Sequence, residues 1–121
     1  MTANDLKDRT KQFAVDTFFF LRSIKYCDES KTIKNQLIRS SSSVAANYRA
    51  VCRARSDKEF YSKICIVVEE VDESQFWLEI IHATQECDSK KLHDLNKEAK
   101  ELVNIFARSK KTIGDKLFKD K

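Results

Sequence analysis

The chain has 121 residues, of which 35% are charged, with a formal net charge of +4, no proline and a single glycine. This length fits one domain that can hold a hydrophobic core without metal or disulfide cross-links. Because proline and glycine break helices most strongly, their scarcity favours long helices over a sheet with tight turns. No apolar run approaches the roughly 20 residues of a membrane span, and the N-terminus lacks a signal-peptide pattern, so we expect a soluble, cytoplasmic protein.

The first two predicted helices cover about residues 4–26 and 32–54, and each carries apolar residues at helical spacing. Four consecutive serines at 40–43 fall inside the second helix. Because the apolar pattern stays in phase across them, we interpret them as small side chains that let another helix approach closely. Asn47 lies near the packing face, with Ser43 one turn earlier. A buried asparagine needs hydrogen-bond partners and can fix the register of packed helices.

The third and fourth predicted helices cover about residues 57–86 and 90–113. Ser56 followed three residues later by Glu59 is a capping box, the clearest local helix start in the chain. Apolar residues in both helices then repeat at steps of three and four, as in helix bundles. A glycine is the expected C-cap of the fourth helix, which leaves residues 114–121 as a tail.

Short polar breaks separate the four helices, and short connections require consecutive helices to run antiparallel. The sequence therefore predicts an all-α fold, an antiparallel up-down-up-down four-helix bundle that forms a single domain over residues 1–121.

The sequence predicts no catalytic residue, no metal site and no cofactor. A chain with one glycine has no glycine-rich phosphate loop, and no glycine flanks the serine run as in a nucleophile elbow. Di-iron bundles use two Glu-x-x-His motifs, whereas here only Glu79 and His82 form one. The four cysteines stand far apart without a CxxC pair, so we interpret them as free thiols in a reducing compartment: Cys27, Cys52, Cys65 and Cys87.

Charge is distributed unevenly along the chain. Residues 1–107 contain 17 basic and 17 acidic side chains, whereas residues 108–121 contain six basic and two acidic ones. Residues 31–63 hold eight basic side chains against two acidic ones, and residues 69–88 hold seven acidic side chains and no lysine or arginine. An antiparallel bundle then has a basic end and an opposite acidic end.

The predicted nucleic-acid-binding residues of the basic end are Arg49, Arg53, Arg55, Lys58, Lys63, Arg108, Lys110 and Lys111. Lys7, Arg9 and Lys11 are expected at the same end, and the acidic end is expected to contain Asp28, Glu29, Glu79, Glu86 and Asp88. Such a basic end can attract a phosphate backbone, or the acidic surface of a sister subunit, or be a solvated surface without function. We interpret Tyr48 and Tyr61 as core or interface residues rather than base-stacking platforms.

Phe76 and Trp77 flank the core-facing positions of the third helix. A large aromatic residue there either widens the core or marks an oligomer interface, where tryptophan is enriched. We favour an interface.

Three stretches carry a family resemblance: residues 37–49 (LIRSSSSVAANYR), 52–56 (CRARS) and 69–79 (EEVDESQFWLE). Their order and spacing closely resemble the four-helix-bundle family encoded in intervening sequences of bacterial 23S rRNA genes. That family is similar in fold to the accessory variability protein of diversity-generating retroelements, a basic pentamer that works with a reverse transcriptase and nucleic acid. Many members carry glutamate where this chain has Ala50, and the retroelement relatives are more basic.

The resemblance implies a homopentamer, with RNA or DNA or a nucleic-acid-processing protein as partner and no catalytic residues to carry over. The first hypothesis is therefore a non-enzymatic, homo-oligomeric bundle that binds nucleic acid through its basic end. The alternative is a structural or protein-interaction module without nucleic-acid binding, whose charge asymmetry serves self-assembly.

Overall fold

The computed structural model describes residues 1–85 and 89–119. They form four α-helices and, within these residues, no strand: α1 (Ala3–Leu21), α2 (Asp28–Cys52), α3 (Asp57–Thr84) and α4 (Lys90–Phe118). Each helix packs on the next in sequence, and α1 also contacts α4, so that α1 and α3 are diagonal to each other, as are α2 and α4. This confirms the predicted all-α, antiparallel four-helix bundle.

The connection between α1 and α2 differs from the prediction. α1 ends at Leu21, because the N–H groups of residues 22–24 bond three residues back and turn the chain. α2 begins at Asp28, four residues earlier than expected. Its first turn is stabilised by the Ser30 hydroxyl, which accepts a hydrogen bond from the Cys27 N–H at 2.8 Å. The residues expected to form a polar break are therefore the start of a helix.

The C-terminal end of α4 also differs from the prediction. The helix runs through Gly114 to Phe118, so the glycine is not a C-cap. A Cβ atom at Gly114 would lie 3.1 Å from Cε1 of Tyr61 on α3. The Tyr61 ring in turn packs edge-on against Phe118, with the ring centroids 5.3 Å apart. The glycine therefore serves the close approach of α3 and α4.

The core is built from the predicted faces of the helices and contains Phe13, Phe20 and Phe106 as its largest buried side chains. Ser56 caps α3 as predicted, since its hydroxyl accepts the Glu59 N–H at 3.1 Å. The predicted end of the third helix at residue 86 lies outside the described residues.

The serine run lies inside α2, as the sequence predicts. Ser40 and Ser41 are fully buried, and Ser40 faces the fully buried Ser74 of α3. The two hydroxyl oxygens are 3.0 Å apart, and the Ser74 oxygen also lies 2.9 Å from the Glu70 carbonyl. Small side chains thus bring α2 and α3 together around a shared hydrogen bond.

Candidate nucleic-acid interface

One end of the bundle joins the α2–α3 connection to the last turns of α4. Lys116 of α4 forms an ion pair with Asp57 of α3 at 2.8 Å, close to the contact between Tyr61 and Phe118. The two basic segments of the sequence, residues 49–63 and the region from Arg108 onwards, therefore lie at the same end.

Most of the predicted cations at this end have no acidic partner. Arg55 lies 3.7 Å from Glu59, and Lys111 lies 3.4 Å from Asp115. Within residues 1–85 and 89–119, the other six have no carboxylate within 4.0 Å, and we call these six the basic cluster: Arg49, Arg53, Lys58, Lys63, Arg108 and Lys110. Lys63 and Lys110 are half-buried and the other four are exposed.

Arg9 does not belong to this basic end, contrary to the prediction. Its guanidinium donates two hydrogen bonds to Glu98, at 2.8 and 2.6 Å, and a third to Glu101 at 3.0 Å. The hydrogen bond with Glu98 raises the pKa of Arg9. These glutamates lie about 10–15 Å along α4 from Arg108, at 1.5 Å per residue. α1 begins only six residues before Arg9, whereas α4 continues from Glu101 to Phe118. The last turns of α4 therefore extend beyond the start of α1.

A cavity of about 530 Å³ lies beside the basic cluster. Its lining combines the aromatic residues Tyr61 and Phe118 with three lysines and one carboxylate, at Lys110, Lys111, Lys119 and Asp115. Phe118 is 49% exposed. Sequence reasoning placed Phe118 in a tail, and the continuation of α4 through the glycine is what brings its ring to Tyr61. Amines beside an exposed aromatic ring can bind a phosphate and a stacked base.

Tyr48, in contrast, is a core residue, as interpreted from the sequence. Its ring packs against Phe106 with the centroids 5.1 Å apart. Burial, and then a hydrogen bond with Cys52, raises the pKa of the Tyr48 hydroxyl far above its ordinary value of 10.0.

The opposite end of the bundle carries mixed charge in its described part. Asp28 and Glu29 occupy the first turn of α2, where negative charge interacts favourably with the helix dipole. Lys25 precedes that turn, and Lys90 and Lys91 begin α4 at the same end. Two further residues of the predicted acidic end lie outside the described part: Glu86 and Asp88.

The Glu-x-x-His motif lies on the α3 surface that faces α4. His82 and His93 have their ring centroids 6.0 Å apart. No group of three or more potential metal ligands occurs among residues 1–85 and 89–119. Cys27, Cys52 and Cys65 are half-buried free thiols, and Cys87 lies outside the described residues.

The two aromatic residues predicted as an interface have different environments. Trp77 packs against the core, and its indole N–H donates to Glu73 at 3.2 Å. Phe76 is 49% exposed and packs edge-on against Trp77 at 5.0 Å. Glu73 and Glu70 also bind Arg39 of α2, and the Glu73 hydrogen bond raises the pKa of Arg39. Trp77 therefore packs partly buried at the edge of the core, whereas Phe76 is exposed at the surface, and their role as an interface stays a prediction.

Asn47 is half-buried and interacts within its own helix. Its amide donates to the carbonyl and the hydroxyl of Ser43, at 2.9 and 2.8 Å. A fully buried polar contact between two helices is made instead by the Ser40–Ser74 pair, which the sequence did not single out.

The described helices include none with the length and apolar character that crossing a bilayer requires.

Comparison with known proteins agrees with the resemblance seen in the sequence. Among solved structures, the chain is similar to a protein with unknown function from the S23 ribosomal protein family of Bacteroides thetaiotaomicron VPI-5482, with a TM-score of 0.77 and 28% sequence identity. That similarity covers 92% of this chain and 99% of the other. No curated protein matches the chain. The sequence model of the 23S rRNA-intervening sequence protein family matches residues 3–108, and the chain therefore belongs to this family.

Proposed function

We propose that the protein is a non-enzymatic, cytoplasmic, homo-oligomeric bundle, a pentamer as the family resemblance implies, that binds nucleic acid through its basic end. The observation that supports this function is the basic cluster, six cations with no acidic partner in the described chain, gathered at one end of the bundle. Cations already paired within the protein contribute little to phosphate binding, whereas unpaired ones displace counterions from the nucleic acid.

The chemistry of this end suits a phosphate backbone rather than a specific base sequence. Lysine and arginine contacts to phosphate position a nucleic acid without reading its bases. The exposed Phe118 ring beside Lys110 and Lys119 adds a surface on which an unpaired base can stack. Single-stranded RNA is therefore the favoured ligand, which also agrees with a family named for its position in rRNA genes.

The test compares a triple charge reversal in the basic cluster with a double charge reversal elsewhere on the bundle. Changing Arg53, Lys58 and Arg108 to glutamate should abolish most RNA affinity. It should also lower the slope of log K against log salt by about 2, because each phosphate contact contributes about 0.7 for a single strand. Lys97→Glu with Lys100→Glu, exposed cations in the middle of α4, serves as the control and should bind nearly as tightly as the wild type.

Fluorescence anisotropy with a labelled single-stranded RNA at two salt concentrations gives both quantities. If the triple variant keeps wild-type affinity and slope, the proposed surface is wrong.

The alternative function is a structural or protein-interaction module. It is favoured by the exposed Phe76, which lies among the carboxylates of α3. This alternative predicts a stable oligomer with no measurable RNA affinity at physiological salt, so the same titration distinguishes the two.

A further inference from the structure

The outward face of α3 carries an unpaired acidic stripe. Glu69, Asp72 and Phe76 are all exposed and follow one another at steps of three and four, each five residues after a buried core residue. This spacing places them on the side of the helix that faces away from the core. Neither carboxylate has a cation within 4.0 Å among the described residues. The acidic stripe, formed by these three residues, therefore places negative charge beside an exposed aromatic ring.

The outward face of α1 carries the opposite charge around another aromatic ring. Lys11, Phe18 and the C-cap residue Arg22 are exposed and also follow helical spacing, with the half-buried Val15 between the first two. We call these four residues the basic stripe. Neither of its two cations has a carboxylate within 4.0 Å in the described chain, and Asp8 precedes the stripe by one turn. Arg22 lies 4.8 Å from the centre of the Phe19 ring, which is itself 56% exposed.

The two stripes cannot meet within one molecule. α1 and α3 are diagonal in the bundle, so their outward faces point to opposite sides. Pairing the acidic stripe with its own copy would bring like charges together, which is unfavourable at an interface. The basic cluster is assigned to nucleic acid under the proposed function, so the complementary surface left for a second copy is the basic stripe, which also supplies an aromatic side chain opposite Phe76.

We infer that the basic stripe on α1 of one copy binds the acidic stripe on α3 of the next copy. This inference rests on the proposed self-association and names its two surfaces. Because the surfaces differ, the contact is heterologous, and its repetition forms a closed ring when the rotation between copies closes. Phe18 and Phe76 form the apolar centre of the contact, and the charges around them fix the partner and its orientation.

Charge reversal on each stripe tests this contact. Lys11→Glu with Arg22→Glu changes the basic stripe, and Glu69→Lys with Asp72→Lys changes the acidic stripe. Every position is exposed, so each variant should keep the helical content of the wild type by circular dichroism. Each should dissociate at a concentration about a hundredfold higher than the wild type, because opposed like charges cost several kcal/mol. Lys97→Glu with Lys100→Glu is again the matched control and should assemble like the wild type.

Combining the charge reversals of both stripes tests directly whether the two stripes bind each other. A chain with all four substitutions has both stripes reversed, so it should assemble again with the wild-type mass in sedimentation velocity. An equimolar mixture of the two single-stripe variants should also assemble, with both proteins in each complex. Reassembly in these two experiments supports a heterologous contact between the named stripes.

Two failures are distinguishable. A wild-type protein that sediments as a 14.1 kDa monomer at every concentration would remove the proposed self-association itself. A wild-type oligomer that persists in both single-stripe variants, or a folded four-substitution chain that remains monomeric, would overturn only the assignment of the stripes.

Discussion

The buried hydroxyl pair between α2 and α3 gives the sharpest prediction about stability. Ser40 and Ser74 are fully buried, and their oxygens are 3.0 Å apart. Changing either one to alanine removes this hydrogen bond and leaves a small void, which should cost about 1–2 kcal/mol of unfolding free energy. The double variant should cost less than the sum of the two, with a coupling of about 1 kcal/mol, because the second change removes an interaction that is already lost.

Ser42→Ala is the matched control for this prediction. Ser42 belongs to the same serine run, but its hydroxyl bonds only carbonyls of its own helix, at Ile38 and Arg39. Alanine is a better helix former than serine, so the change should alter stability by less than about 0.5 kcal/mol.

Urea unfolding followed by circular dichroism at one fixed protein concentration measures all four variants, since the stability of an oligomer depends on concentration. Additive effects of Ser40→Ala and Ser74→Ala, or an equal cost for Ser42→Ala, would refute the role assigned to the pair. Ser74→Leu should be worse than Ser74→Ala, because the facing Ser40 hydroxyl leaves no room for a larger side chain.

Two further predictions concern the aromatic residues. Phe106→Ala should lower the free energy of unfolding by about 3–5 kcal/mol in the same urea assay, because the ring is fully buried against Tyr48. Phe118→Ala should cost far less, since Phe118 is half-exposed. Stability should fall as the pH rises above 10.0, because the unfolded chain then loses the Tyr48 proton while burial keeps the pKa of that hydroxyl higher in the folded state. Tyr48→Phe should reduce this fall when unfolding free energies are compared at pH 9 and about 10.5, and an unchanged fall would contradict the burial argument.

Local and periodic features of the fold could be predicted because they depend on neighbours in sequence. Ser56 caps α3 through a backbone group only three residues away. The apolar repeat from Ile64 to Ile81 needs only helical spacing to define a buried face. The serine run was assigned to a helix by the same reasoning, because the pattern stays in phase across it.

Features that depend on a partner distant in sequence could not be predicted. Glycine is a residue type that often ends a helix, yet Gly114 lies inside α4. Its missing side chain leaves space for the ring of Tyr61, which lies more than 50 residues earlier in the sequence. From the sequence, Arg9 is expected among the cations of the basic end. The packing of α1 on α4 places Glu98 and Glu101 around its guanidinium. The partial burial of Trp77 and the exposure of Phe76 likewise depend on the packing of neighbouring helices.

By itself, therefore, the sequence determined the helical bundle, its antiparallel order, its family and the surplus of positive charge. The tertiary structure decided which charges are neutralised, where α4 ends and which aromatic rings reach the surface. The physical reason is that helix formation and burial follow local spacing, whereas charge pairing and close packing depend on which side chains the folded bundle brings within a few ångströms of each other.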